Sequence, residues 1–485
     1  MVSAVFKTVG RLEKATAGSI PASSETLKMK KSSQSSLSRL PQIERLLEAD
    51  ELKYWFPRLS RPLVARLAAE TIEEARERIQ AGEAFPGAGA IVRAVLKRCR
   101  ETAKRRIHHL INATGVMLHT NLGRAPISRT AWRSAEAVNT GFSNLEFDLQ
   151  TGKRGKRKGI ISDLLSLLVG SEGALMVNNN AAGVFLILSA LAKGKEVIVS
   201  RGEQVQIGGG FRIPEILAQS GARMVEVGTT NITRLEDYTA ALGADTAMVL
   251  MVHSSNFRIR GFTARPSIRE LASSLPEDVL LIVDQGSGTT TERIPGEQSV
   301  RYYLNSGAHL VSFSGDKVLG GPQAGFIVGK EELIQTLARH PLNRVFRPGK
   351  TIFSLMEEAL IARLNRTVPP PVEAVLNLSM EELQERGKIL LSDLLSDLPS
   401  GRARLVDSAV TTGGGSAPDE RFPSLSVELE SAESPQTLLA ALRELDPPII
   451  GIIVDGKVQL NLATLPAEEL QTVKEALNRL LSGKS

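Results

Sequence analysis

Between Asn112 and about Pro348 the chain alternates short apolar runs with stretches of helical period. The runs are Ala174–Asn178 (ALMVN), Glu196–Ser200 (EVIVS), Arg223–Gly228 (RMVEVG), Met248–Ser255 (MVLMVHSS), Leu280–Gly288 (LLIVDQGSG), His309–Gly315 (HLVSFSG) and Ala324–Gly329 (AGFIVG). Segments this short and this rich in Val, Ile and Leu read as strands. Between several of them lie helical stretches such as Ala181–Gly194 (AAGVFLILSALAKG). Strands joined by helical crossovers run parallel, and a parallel sheet must be covered on both faces. The fold class is therefore α/β: a large domain with a mostly parallel seven-stranded sheet covered by helices. Ligands of such sheets gather beyond the carboxyl ends of the strands, where the polar motifs of this chain fall.

Around that domain the texture changes. Residues 1–37 are rich in Ser, Thr, Ala and Lys, and read as a disordered extension without the long apolar segment of a secretory signal. Met29 offers a second start. Residues 38–106 carry apolar residues at helical spacing, as in Arg61–Ile79, and read as a small helical module. Residues 107–350 form the large domain. In residues 351–485, a helix from about Phe353 to Asn365 leads into a small α+β domain. Its predicted parts are a strand at Ser424–Glu430, a hairpin turning at Asp455-Gly456, and an amphipathic terminal helix.

The single cysteine, Cys99, excludes an internal disulfide and fits a reducing cytosol. No His/Cys cluster has metal-ligand spacing, and no stretch is apolar for long enough to cross a bilayer. The formal charge of +6 is concentrated in Lys28–Lys31, Arg93–His109 and Gly152–Gly159. Each cluster alone reads as a solvated face; three together raise the case for a nucleic-acid partner.

One lysine stands apart. Lys317 follows the strand HLVSF and sits among small residues in Ser312–Gly325 (SFSGDKVLGGPQAG), which suggests room for a ligand to reach its amine. Asp284 ends the strand LLIVD. Asn178, Asn179, Asn180, Ala181 and Ala182 follow the strand ALMV and open a helix, whose first N–H groups suit a phosphate. Asn256 ends a further strand on the same rim. Separately these are a surface lysine, a turn aspartate and a polar cap. Jointly they match what pyridoxal 5'-phosphate requires: a lysine, a carboxylate for the pyridine nitrogen and an anion cradle. Asn256 would meet the ring's phenolate oxygen, and Ser312 and Ser314 would add phosphate contacts.

The motifs INATGVMLHTNLGRAPIS, GFSNLEFDLQTGKRGKR, VNNNAAGVFLIL, GKEVIVSRGE, FRIPEILAQSGA, VEVGTTNITRLEDY, SFSGDKVLGGPQAGFIVG and HPLNRVFR follow one another from Ile111 to Arg347. In this order the chain, from about Leu37 to its end, resembles the bacterial selenocysteine synthases. These are the L-seryl-tRNA(Sec) selenium transferases, within the aspartate-aminotransferase-like pyridoxal phosphate enzymes. The resemblance implies that Lys317 binds the cofactor covalently and that Asp284 pairs with its ring nitrogen. It implies that Arg124, Arg344 and Arg347 form an anion pocket for selenophosphate, and that the module 38–106 binds seryl-tRNA(Sec). It further implies conversion to selenocysteinyl-tRNA(Sec) through a dehydroalanyl intermediate. The assembly implied is a homodecamer, a pentamer of dimers, or another homo-oligomer built of dimers, with active sites at subunit interfaces. The setting is cytoplasmic, with neither membrane nor DNA as partner.

Several positions depart from the family pattern: Gln206 for glutamate, Gly210 for serine, Gln285 for leucine beside the ring, Gly349 for aspartate, Ile452 for arginine, and Asn461 and Ala463 for aspartate and arginine. Missing small-domain arginines are tolerable for an ester-linked seryl-tRNA, which has no carboxylate to grip. The alternative is a divergent pyridoxal phosphate lyase or transferase acting on a free or phosphorylated amino acid.

Overall fold

The computed structural model describes residues 36–157, 159–204, 206–207, 210–253, 259–397, 403–413, 415–417 and 419–482. The predicted extension 1–37 lies almost wholly outside them. Contacts divide the chain into two compact units, Met1–His108 and His109–Ser485.

In the first unit, helices α1 (Arg61–Gln80) and α2 (Ala88–Lys104) follow three short helical turns. Ser60 caps α1 by accepting from the Leu63 N–H, and Pro62 occupies its first turn, where a missing N–H costs nothing. Leu52, Val64, Ala68, Ile72, Ile91, Val95 and Cys99 form the buried core. Arg98 of the basic stretch pairs with Glu70 and Glu74, while Arg100 and Arg106 are exposed.

Among the described residues the second unit contains sixteen strands. In chain order they are β1 (Ile111–Asn112), β2 (Val116–Leu118), β3 (Gly173–Val177), β4 (Glu196–Ser200), β5 (Gln206–Ile207), β6 (Phe211–Arg212), β7 (Arg223–Val227) and β8 (Thr246–Val252). Then come β9 (Leu280–Gly286), β10 (Leu310–Ser314), β11 (Gly325–Gly329), β12 (Ala403–Gly413), β13 (Phe422–Leu429), β14 (Ile449–Ile450), β15 (Ile452–Val454) and β16 (Lys457–Asn461). The seven-stranded sheet has the order β3-β11-β10-β9-β8-β4-β7. Only β11 is antiparallel to its neighbours. All seven predicted runs are its strands.

Both faces are covered, as parallel strands require. Val249, Leu281, Val283, Val311 and Phe313 face α3 (Ile161–Val169) and α5 (Lys350–Asn365) in one core cluster. Met248, Leu250, Ile282 and Leu310 face α4 (Asn180–Leu191) in another. The period of two along each strand thus decides which cluster a residue joins. It also fixes the neighbours of Asp284 and Gln285, which point to opposite faces.

The smaller five-stranded sheet has the order β15-β16-β13-β12-β2. The predicted hairpin turns at Asp455 and Gly456, both at positive φ (48° and 77°). Two features differ from the sequence reading. The eleven-residue strand β12 was not anticipated, because ARLVDSAVTTG lacks a clean apolar alternation. And residues 107–350 are not one continuous piece: β2 pairs in parallel with β12, and β1 with β14. Strands this short carry no sequence signal of which sheet they will join.

Gly325 marks the closest approach between the sheet and the start of α4. A β-carbon there would lie 2.1 Å from the Asn179 carbonyl oxygen and 2.6 Å from the Asn180 nitrogen. Backbone cannot yield as a side-chain tip can. Gly325→Ala is therefore expected to cost about 3 kcal/mol or more and lower the thermal unfolding midpoint by several degrees in a calorimetric scan. An unchanged midpoint would contradict the close approach.

Candidate active site

The carboxyl ends of β3, β8, β9 and β10 bring together the residues singled out above. Asp284, near the end of β9, is 3% exposed. Its Oδ1 accepts from Asn180 Nδ2 at 2.7 Å and from Ser312 Oγ at 3.3 Å. Burial pushes the Asp284 carboxyl up from its ordinary range; the Asn180 amide, Lys317 and Ser312 oppose that push. Lys317 is 9% exposed. Burial, and then the Arg124 cation, push its amine down, against Asp284, Asp316 and Glu297. The ammonium has no hydrogen-bond or ion-pair partner among the described residues. A buried cation without a partner is costly unless a ligand is to meet it. These residues fit pyridoxal phosphate: an amine whose hold on its proton burial weakens, beside a carboxylate that a protonated ring nitrogen would stabilise.

The loop of Lys317 is small-residued for a different reason from the one the sequence suggested. A β-carbon on Gly315 or Gly321 would strike Met356 of α5, and one on Gly320 would strike Pro370 and Pro371. The glycines let the loop pack tightly onto its support. The loop is further pinned by Gly315 N to Ala324 O (2.8 Å), Val318 N to Ser287 O (3.1 Å) and Ala125 N to Asp316 O (3.2 Å).

The asparagine turn splits its work. Asn179 caps α4, its Oδ1 accepting from the Ala182 N–H at 2.8 Å. Asn178 donates its N–H to Phe346 O, and its side chain is exposed. The side chain of Asn180 goes to Asp284, leaving its own Oδ1 buried without a partner among the described residues. Ala181 and Ala182 are half-buried in the first turn of α4. Ser312 likewise serves the carboxylate rather than a phosphate, and Ser314 is buried at the end of β10. Asn256 lies outside the described residues.

Two of the three arginines meet different carboxylates. Arg124, at φ 65°, places Nη1 2.7 Å from Oδ2 of buried Asp316, the neighbour of Lys317. Arg347 Nη1 is 3.7 Å from Glu146 Oε1. Arg344 is exposed in the short helix Pro341–Val345. Asp316 is a site residue that the sequence reading missed; its place directly before Lys317 was the available signal. Glu297 is a second group that the sequence does not mark; it meets His253, whose backbone N–H donates to Asp284 O at 2.9 Å. His253 Nε2 lies 3.3 Å from Glu297 Oε2, and Glu297 also accepts from Ser287 Oγ (3.0 Å) and Ala417 N (3.1 Å).

With that geometry in view, the chain can be set beside known proteins. The profile of the L-seryl-tRNA selenium transferases (SelA) matches residues 110–466. The L-seryl-tRNA(Sec) selenium transferase of Moorella thermoacetica is 40% identical over 459 residues, 92% of this chain and 97% of that protein. That of Geobacter sulfurreducens is 39% identical over 92% of this chain and 99% of its own. The chain belongs to the L-seryl-tRNA selenium transferase family. Among solved structures, D-glucosaminate-6-phosphate ammonia-lyase superposes with a TM-score of 0.56 at 19% identity, covering 78% of this chain and 96% of the other, which shows a shared fold.

Within this family member the departures acquire physical roles. Gln285 does not stand beside the Asp284 carboxyl. It points to the other face, where Nε2 donates to Ser287 Oγ (2.6 Å) and Oε1 accepts from Gly288 N (2.7 Å), ordering the turn after β9. Asn461 and Ala463 are buried in the smaller sheet's core, and Asn461 bonds Ser408, Ala409 O, Ser424 and Ala463 N. Gln206 bonds Arg212 across the β5–β6 ladder. Gly210 sits at φ 85°, which a serine would adopt only with strain. Gly349 is the N-cap of α5, and Ile452 is half-buried in β15.

Two expectations follow from the buried acids. Asn180→Ala removes a charge-assisted hydrogen bond, so the Asp284 carboxyl rises further. The acid-side loss of turnover should move to higher pH, with turnover at neutral pH falling about tenfold. A pH–rate profile with an unmoved acid limb would contradict this. Burial also drives Glu203 from the ordinary glutamate range to about 7, its Oε2 accepting from the Val252 N–H at 3.0 Å. The folded state therefore binds the proton more tightly than the unfolded chain. Stability is fullest below the ordinary glutamate pKa and falls, by about 3 kcal/mol, as pH rises to 7. Denaturant titrations of Glu203→Gln should show that slope removed.

Proposed function

We propose that this protein converts seryl-tRNA(Sec) to selenocysteinyl-tRNA(Sec), using selenophosphate and pyridoxal 5'-phosphate. The observation that carries the reading is Lys317, buried beside buried Asp284 and without a hydrogen-bond partner among the described residues, in a chain related over nearly its whole length to selenium transferases. When bound, the cofactor supplies an electron sink for charge at the seryl Cα. Lys317 anchors it, and Asp284, held by Asn180 and Ser312, keeps the proton on the ring nitrogen. The first N–H groups of α4 receive the phosphate. Lys317 Nζ, freed when the seryl amine takes its place on the cofactor, would take the Cα proton as general base, a role favoured by the burial that lowers its proton affinity. Hydroxide would leave Cβ, selenium of selenophosphate would add there, Lys317 would return the proton to Cα, and water would take the phosphoryl group so that the P–Se bond breaks and phosphate is released. Arg124, Arg344 and Arg347 bind the selenophosphate oxygens, for which planar guanidinium groups are suited.

The helical unit, with Arg100 and Arg106 exposed, takes the tRNA backbone. The reading includes a cytoplasmic homodecamer built of dimers. In its favour, Trp132, Phe142, Phe147, Leu149 and Leu167 are exposed along one stretch of the second unit, as subunit contacts would be. Among the described residues no helix is long and apolar enough to cross a membrane.

The deciding experiment supplies the purified protein with pyridoxal phosphate, seryl-tRNA(Sec) and selenophosphate, with free serine in parallel. Selenium is expected on the tRNA alone; turnover of free serine without it would point to the divergent paralogue. Lys317→Ala should abolish both selenium transfer and the visible absorption of lysine-bound cofactor. A retained band would remove Lys317 from the site.

A further inference from the structure

Glu146 lies in the stretch SNLEFDLQTGKRGKR, to which no role has been attached beyond family likeness. The chain folds back there: Asp148 N bonds Lys153 O at 2.9 Å and Gly155 N bonds Glu146 O at 3.0 Å. A β-carbon on Gly155 would approach the Asp148 nitrogen to 3.3 Å, so a small residue lets the two arms close. The closure sets three guanidinium groups on one carboxylate. Arg157 Nη1 is 2.8 Å from Glu146 Oε1, Arg154 Nη2 is 2.9 Å from Oε2, and Arg347 Nη1 is 3.7 Å from Oε1. Those cations hold the Glu146 carboxyl below its usual range, Arg157 first.

Arg157 has a second hold. Its Nη2 donates to Pro348 O at 2.6 Å, while its guanidinium lies 5.8 Å from the Phe353 ring centroid. Phe346 O, two residues earlier, accepts from the Asn178 N–H at 2.8 Å. The backbone on either side of Arg347 is thus fixed at two carbonyls, one by the asparagine turn and one by Arg157. The Arg347 side chain is met by the carboxylate that Arg157 also holds. Arg157 Nε is buried with no partner of its own among the described residues.

We propose that Glu146 and Arg157 are a positioning pair for Arg347, presenting its guanidinium to a phosphate-like anion. The proposal rests on the reading of Arg347 as an anion ligand. Neither residue of the pair is required to touch the anion. One cation and one carboxylate together leave the local charge nearly unchanged, so their combined contribution is orientation rather than attraction. A point charge at 157 cannot replace the planar fork that reaches Glu146 and Pro348 O at once.

The test uses the pyridoxal phosphate-loaded protein with inorganic phosphate as the calorimetric probe, and selenophosphate in steady-state assays. Arg157→Lys and Glu146→Gln are each expected to weaken phosphate binding about tenfold and raise the selenophosphate KM by a similar factor. The kcat and the seryl-tRNA KM should stay within about twofold. Tighter phosphate binding by Glu146→Gln would mean that the carboxylate merely opposes the anion, and would overturn the proposal. So would full rescue by Arg157→Lys, which would leave charge as the only requirement. Loss of kcat and thermal stability together would reduce the pair to a structural brace. Arg347→Ala separates the two levels. If it leaves phosphate affinity unchanged, the anion-pocket reading fails; if it weakens affinity while the pair's variants do not, only the present proposal fails.

Discussion

The site depends on removing one amine and one carboxylate from water on the same sheet rim. Lys317 and Asp284 are both buried, and burial drives each toward its neutral form. A carboxylate in that position is costly unless hydrogen bonds restore part of its hydration. The structure supplies them from separate elements: Asn180 from α4 and Ser312 from β10. A second carboxylate, Asp316, is held by Arg124 from the loop after β2. Solvating these charges therefore draws a helix, a strand and a loop to one point. It also explains why the asparagine turn, whose spacing suggested a phosphate cradle, contributes one side chain elsewhere.

The large sheet was legible because parallel strands, buried on both faces, write themselves as uninterrupted runs of Val, Ile and Leu. Lys317 and Asp284 were legible because strand ends in such a sheet face the ligand crevice. What stayed hidden was pairing and direction. A run of two or three residues such as Ile111–Asn112 says nothing about a partner more than three hundred positions away. Small residues around Lys317 were read as open space, but a glycine is equally the residue that permits close packing, and Met356 and the Pro370-Pro371 pair fill the gap. Gln285 was placed beside the ring because it follows Asp284, yet the pleat turns it away.

The departures show the same ambiguity between function and support. Asn461 satisfies Ser408, Ala409 O, Ser424 and Ala463 N at once, so a neutral amide with both donors and acceptors suits that junction. A side chain can leave a family pattern without touching chemistry when its replacement closes a hydrogen-bond circuit.

The pairing of β1 and β2 with strands near the other end of the chain has a consequence for how the protein is made. These strands leave the ribosome first among those of the second unit, and β2 waits for β12, whose first residue is 403. At about 5–20 residues per second that wait is roughly 15–60 s. For that interval the large sheet can form while the loop carrying Arg124 has no anchored strand behind it. The strand behind the Arg124 loop is therefore among the last parts of the unit to be fixed, and a chain cut short before β12 would lack that anchor.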